Sequence, residues 1–163
     1  METCMPKTLI MIVGATILAG ACATPAAGPE VQSLEVTASR CFGACPAYRY
    51  TLSRTGAVVF HGESDTAVQG EHQRRVEPQA VMAVFAQLEP WRQKADRGFA
   101  FRCDQRITDQ PTYRVRWIKS GGAASDLTYD RGCLSVEGRA FAQTVTDLPD
   151  RLGLSGVIGA PRR

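Results

Sequence analysis

The chain is predicted to fold as an α+β domain: a largely antiparallel sheet of about five or six strands with two helices packed on one face. Three observations carry that expectation. Short segments alternate apolar and polar residues and are joined by tight turns, which gives antiparallel neighbours. Helical periodicity is confined to two stretches. Their order is strands, helix, hairpin, helix, which segregates the helices on one side.

Leu34, Val36 and Ala38 alternate with Glu35 and Thr37, the pattern of a half-buried strand. Tyr48, Tyr50 and Leu52 form a second apolar row, and Val58 and Phe60 a third. If Leu52 faces Val58 and Tyr50 faces Phe60, the loop is Arg54-Thr55-Gly56. Gly56 then falls where a three-residue hairpin needs a left-handed residue. Residues 70–76 offer a further strand. Pro78 suits a first helical turn, and Val81, Val84, Phe85 and Leu88 recur at helical spacing; Pro90 should end or kink that helix.

Tyr113, Val115 and Trp117 match Leu127 and Tyr129 only across an odd-length loop around residues 120–123. That register sets Arg114 and Arg116 near Asp126, Thr128 and Asp130 on the outer face, read as a solvated sheet surface. Ser135 can cap a second helix whose stripe is Phe141, Val145, Leu148 and Leu152; Gly138 weakens its start.

Residues 1–21 have the parts of an export signal: Lys7, then about ten apolar or small residues over 9–18, too short to span a membrane. Glu2 and Cys4 fit it poorly, and both drop out if translation begins at Met5. Leu18-Ala19-Gly20-Ala21-Cys22 resembles a bacterial lipoprotein signal, although Leu18 sits one place early. The resemblance implies that Cys22 is acylated on sulfur and becomes the new N-terminus. Ala23, in place of aspartate, implies lipid anchoring at the outer membrane, facing the periplasm. The rival readings are a secretory signal cut after Ala21, with Cys22 an ordinary cysteine, and a buried apolar helix.

Loss of residues 1–21 removes one acid, Glu2, and one base, Lys7, so the formal charge of +3 is unchanged. That mild charge argues against nucleic acid. The Ala/Pro-rich stretch 22–32 reads as a tether, 33–153 as one domain, and 154–163 as a frayed tail.

Beyond Cys22 stand Cys41, Cys45, Cys103 and Cys133. An even count in an exported chain implies two disulfides, with three connectivities open. Cys41-Phe42-Gly43-Ala44-Cys45-Pro46 leads into a strand, Thr108-Asp109-Gln110-Pro111 precedes the later hairpin, and Gly132-Cys133 follows it. From about residue 34 to 152 this series resembles the family called domain of unknown function 6438. Its members carry Cys-Phe-Gly-x-Cys-Pro and a later Thr-Asp-x-Pro. Members can keep the first cysteine pair while lacking the second, so the resemblance implies Cys41–Cys45 and Cys103–Cys133. It implies no activity.

Asp109 is a candidate binding residue; the simpler reading is a carboxylate that accepts backbone N–H groups within its own turn. The sequence has no Gly-x-Ser-x-Gly, His-Glu-x-x-His or phosphate-binding glycine loop. His61 and His72 read as solvated. The expectation is a non-enzymatic envelope lipoprotein that binds another envelope protein or supports assembly, with no cofactor and no metal. The alternative is a thiol–disulfide protein using Cys41 and Cys45, whose Cys-x-x-x-Cys spacing departs from the usual redox motif. Zinc held by the four thiols is a third, disfavoured by an oxidising compartment.

Overall fold

The computed structural model describes residues 30–159. The signal-like segment, Cys22 and most of the expected tether lie outside the described residues. The elements run β1 (Val31–Ala38), β2 (Ala47–Ser53), β3 (Ala57–Ser64), β4 (Gly70–Arg75), α1 (Pro78–Asp96), β5 (Thr112–Lys119), β6 (Ala124–Asp130), α2 (Val136–Arg151) and a short α3 (Ser155–Ile158). The strands form one six-stranded sheet in the order β4-β3-β2-β1-β5-β6. Every neighbouring pair is antiparallel.

Alternation decides which face is buried. Leu34, Val36, Tyr50, Leu52, Phe60, Val115 and Trp117 all point into one core, where Val84, Leu88, Phe141, Val145 and Leu148 of the helices meet them. Each such side chain contributes roughly 1.5–3 kcal/mol when fully buried. Both hairpins have the expected register. Tyr50 faces Phe60 and Leu52 faces Val58, with Gly56 at φ 85° in the turn. Val115 faces Leu127, and Lys119 N–H donates to the Ala123 carbonyl at 2.7 Å across the odd-length loop. On the outer face the Arg114 guanidinium lies 2.7 Å from Asp126.

Three expectations need correction, and the one at Pro90 loses one of its two arms. The tether does not reach residue 32: Val31 is 7% exposed and pairs with Lys119, so its burial starts the strand there. The tail does not fray from residue 154. Leu154 and Ile158 are buried, and Ala67 N–H and Val68 N–H donate to the carbonyls of Ile158 and Val157. Pro90 does not end α1, which runs on to Asp96. Tertiary contacts hold its second half. The Trp91 ring meets Phe141 edge-on at 5.2 Å, Lys94 pairs with Glu137, and Asp96 accepts from Lys119 at 2.7 Å. The histidines are half-buried instead of solvated. His72 sits opposite Phe60 on the core side of the edge strand, and His61 Nδ1 is shielded without a partner among the described residues.

Gly138, weak by helix propensity, is required by packing. A Cβ there would lie 1.9 Å from the Tyr129 ring. Gly138→Ala in an open helix would stabilise by about 0.5–1 kcal/mol. Here it should destabilise by about 1–3 kcal/mol through overpacking, read as a lower urea midpoint.

Asp96 links α1 to β5. Burial opposes its ionisation, but its bond from Lys119 and the Arg92 charge outweigh burial and hold the carboxyl below its usual range. A lowered folded-state pKa contributes stability above the unfolded value, and that stability is lost as pH falls through the folded one. Asp96→Asn should therefore lower stability near neutrality and flatten the acid limb of the stability–pH curve.

Candidate functional site

Three loops converge at one end of the sheet: residues 39–46, 103–111 and 130–135. Thr112 ties the first two together, accepting from Ser39 N–H at 3.0 Å and donating to Ser39 Oγ at 2.8 Å. Phe42 N–H donates to the Asp109 carbonyl at 3.2 Å, so the cysteine motif rests directly on the Thr-Asp-x-Pro turn. Ile107 N–H donates to the Gly132 carbonyl and Leu134 N–H to the Gln105 carbonyl, which docks the third loop. Asp130 organises that loop from within. It accepts from Gly132 N–H at 2.8 Å and lies 3.1 Å from Arg106.

Cys41 and Cys45 lie at disulfide distance, with Cα atoms 5.7 Å apart; Cys103 and Cys133 do likewise at 5.3 Å. These are the pairs that the family resemblance implies, and both staple the same end of the sheet. Asp109 acts through its main chain. It holds a left-handed conformation (φ 67°) and offers its carbonyl to Phe42, while its carboxylate accepts from the Thr108 hydroxyl at 3.0 Å. The expected bonds from backbone N–H groups to that carboxylate are therefore replaced by a hydroxyl partner. Residues like Asp, with short polar side chains, adopt φ > 0 more readily than most.

The loop between Cys41 and Cys45 presents Phe42, which is 87% exposed. Ile107 and Leu134, on the two neighbouring loops, are exposed apolar side chains as well. Beside this rim lies a cavity of about 370 Å³. Ala44, Cys45 and Pro46 form one wall, Pro111 and Tyr113 another, and Thr146, Pro149, Ser155 and Ile158 the far side; Tyr48 and Arg131 line it too. A second cavity of about 200 Å³ shares Arg131 and Thr146 with the first and adds Arg139.

The electrostatics follow from burial. Tyr48 is 6% exposed and Tyr113 7%. Burial, reinforced by the nearby Tyr113 phenol, pushes the Tyr48 hydroxyl far above its ordinary value, so it stays protonated as a donor. The deeper Tyr50 hydroxyl is pushed up the same way and has no hydrogen-bond partner among the described residues. Arg131 lies over the Tyr113 ring at 5.8 Å, and its backbone N–H donates to the Pro111 carbonyl at 3.0 Å. The structure thus brings Cys41, Cys45, Cys103, Cys133 and Asp109 to one end of the fold. Sequence reasoning missed Tyr48, Tyr113 and Arg131. The two tyrosines carry the same alternation as any core residue, and nothing around Arg131 in the chain marks it.

Together these features define a small α+β domain with two cysteine pairs at disulfide distance and a cavity at the same end of the sheet. The profile of the Domain of unknown function (DUF6438) family matches residues 32–149, more than half of the chain, and the protein belongs to that family. No curated protein matches the chain.

The two bridges should differ in weight. Closing a loop of about 30 residues is worth roughly 3–4 kcal/mol in the chain-entropy model, and the four-residue separation about 2. Replacing Cys103 and Cys133 by serine should therefore lower the denaturant midpoint more than replacing Cys41 and Cys45. Intact mass without reductant should fall short of the all-thiol mass by four hydrogens.

Proposed function

We propose that this chain is an exported, lipid-anchored envelope protein whose domain binds another envelope component through its disulfide-stapled end and performs no chemistry of its own. One observation carries the binding reading: both family motifs, both cysteine pairs, an exposed aromatic and a cavity converge on the same end of the fold. Phe42 shares its end of the fold with the exposed Ile107 and Leu134, and grouped apolar side chains, unlike scattered ones, mark contact surfaces. Phe42 is held there by a covalent loop and a hydrogen bond, so little conformational entropy remains to be lost when it docks. Aromatic anchors of this kind dominate interface energetics.

The Cys41–Cys45 pair acts in this reading as a clamp that fixes the angle of Phe42, not as a redox couple. Anchoring rests on the lipoprotein-like run ending at Cys22. A diacyl or triacyl N-terminus would hold the domain at a membrane surface, because each buried methylene contributes about 0.8 kcal/mol. Among the described residues no helix is long and apolar enough to cross a membrane.

In bacteria grown with radiolabelled palmitate, the wild-type chain should take up label and sediment with membranes, while Cys22→Ser should do neither. Label retained by Cys22→Ser would remove the anchoring reading. A benzophenone side chain in place of Phe42 should give one discrete crosslinked adduct in intact cells. The same probe in place of Met82, exposed on α1, should not; equal adducts from both positions would overturn the assignment of the binding face.

A further inference from the structure

The larger cavity has a composition that its role as a surface feature does not explain. Arg131 has no carboxylate within ion-pair distance among the described residues, although Asp130 beside it is engaged by Arg106. Its guanidinium is placed all the same, over the Tyr113 ring and at the mouth of two cavities. Tyr48 and Tyr113 line the same space, and their hydroxyls, unlike that of Tyr50, stay accessible and bond to no other group among the described residues, so both are open to a partner in the cavity. Pro46, Pro111, Pro149 and Ile158 add apolar wall, and the hydroxyl residues Thr146 and Ser155 line it as well.

Resting on the reading of this end as a binding face, we propose that the cavity accepts a carboxylate attached to an apolar body. The carboxylate pairs with Arg131, the body lies against the tyrosine and proline rings, and a phenol supplies a further donor. Charge favours a carboxylate over a phosphate: the larger cavity has one guanidinium and no second cation to balance a dianion. The planar fork of arginine matches the two carboxylate oxygens. A volume of about 370 Å³ suits a small acid or the last residue or two of a peptide, both of which present this chemistry.

The test is a titration of the purified domain followed by backbone amide NMR, with 4-phenylbutyrate, its isosteric amide 4-phenylbutanamide, and N-acetyl-Ala-Phe with a free or an amidated C-terminus. Both acids, or one of them, should shift the amide resonances of Ala44, Cys45, Thr112, Tyr113 and Arg131, and the matching amide should not; which acid binds more tightly distinguishes the small acid from the peptide end. Arg131→Gln should weaken acid binding on the order of tenfold, and Arg131→Lys less, with the far-UV spectrum unchanged. If amide and acid bind equally, or Arg131→Gln leaves affinity unchanged, the carboxylate assignment is wrong while the cavity remains a binding site. If no probe shifts these resonances at about 10 mM, the cavity proposal fails outright, and the crosslinking result at Phe42 stands or falls separately.

Discussion

The fold depends on β1 being hydrogen-bonded along both edges. Its alternating face puts Leu34, Val36 and Ala38 under the helices, and its two neighbours, β2 and β5, are separated in the chain by β3, β4, α1 and a long loop. One strand therefore joins an N-terminal meander to a C-terminal hairpin. Because the side-chain period is two, a slip of one residue on either edge would turn the apolar row of that partner outward. Burial of Tyr50, Leu52, Val115 and Trp117 fixes both registers at once.

The candidate site follows from that pairing. β1 ends at Ala38, β2 begins at Ala47 and β5 begins at Thr112, so antiparallel alignment brings the segments flanking these points to the same edge. The cysteine motif and the Thr-Asp-x-Pro turn are remote in sequence and adjacent in space for this reason. Both cysteine pairs lie at this same end of the sheet. The far wall of the cavity comes from the end of α2 and from α3, whose closing residues pair with the loop after β3. A segment that reads as a tail is in this way part of the site.

Legibility in the sequence followed the range of the determining interaction. Gly56 and the matched rows around it disclosed the first hairpin because the turn and the facing residues are close in the chain. Ser135 disclosed its helix start for the same reason, and its side chain accepts from Gly138 N–H at 3.2 Å. Pro90 does not stop its helix because contacts of Trp91, Lys94 and Asp96 with α2 and β5, which no local pattern reports, outweigh the local cost of proline. Gly138 looked like a helix weakness and is a packing contact with Tyr129.

By itself the sequence determined the α+β class, the two hairpin registers, the helix stripes and the even set of four cysteines after Cys22, since each is written in periodicity, turn chemistry or count. Tertiary structure alone decided that Phe42 stands exposed on a loop seated on Asp109, that Arg131 lies over Tyr113 at a cavity mouth, and that Leu154 and Ile158 belong to the core. Those outcomes depend on which distant segments meet, and that is set by how the whole sheet closes over its helices, not by any stretch of residues considered separately.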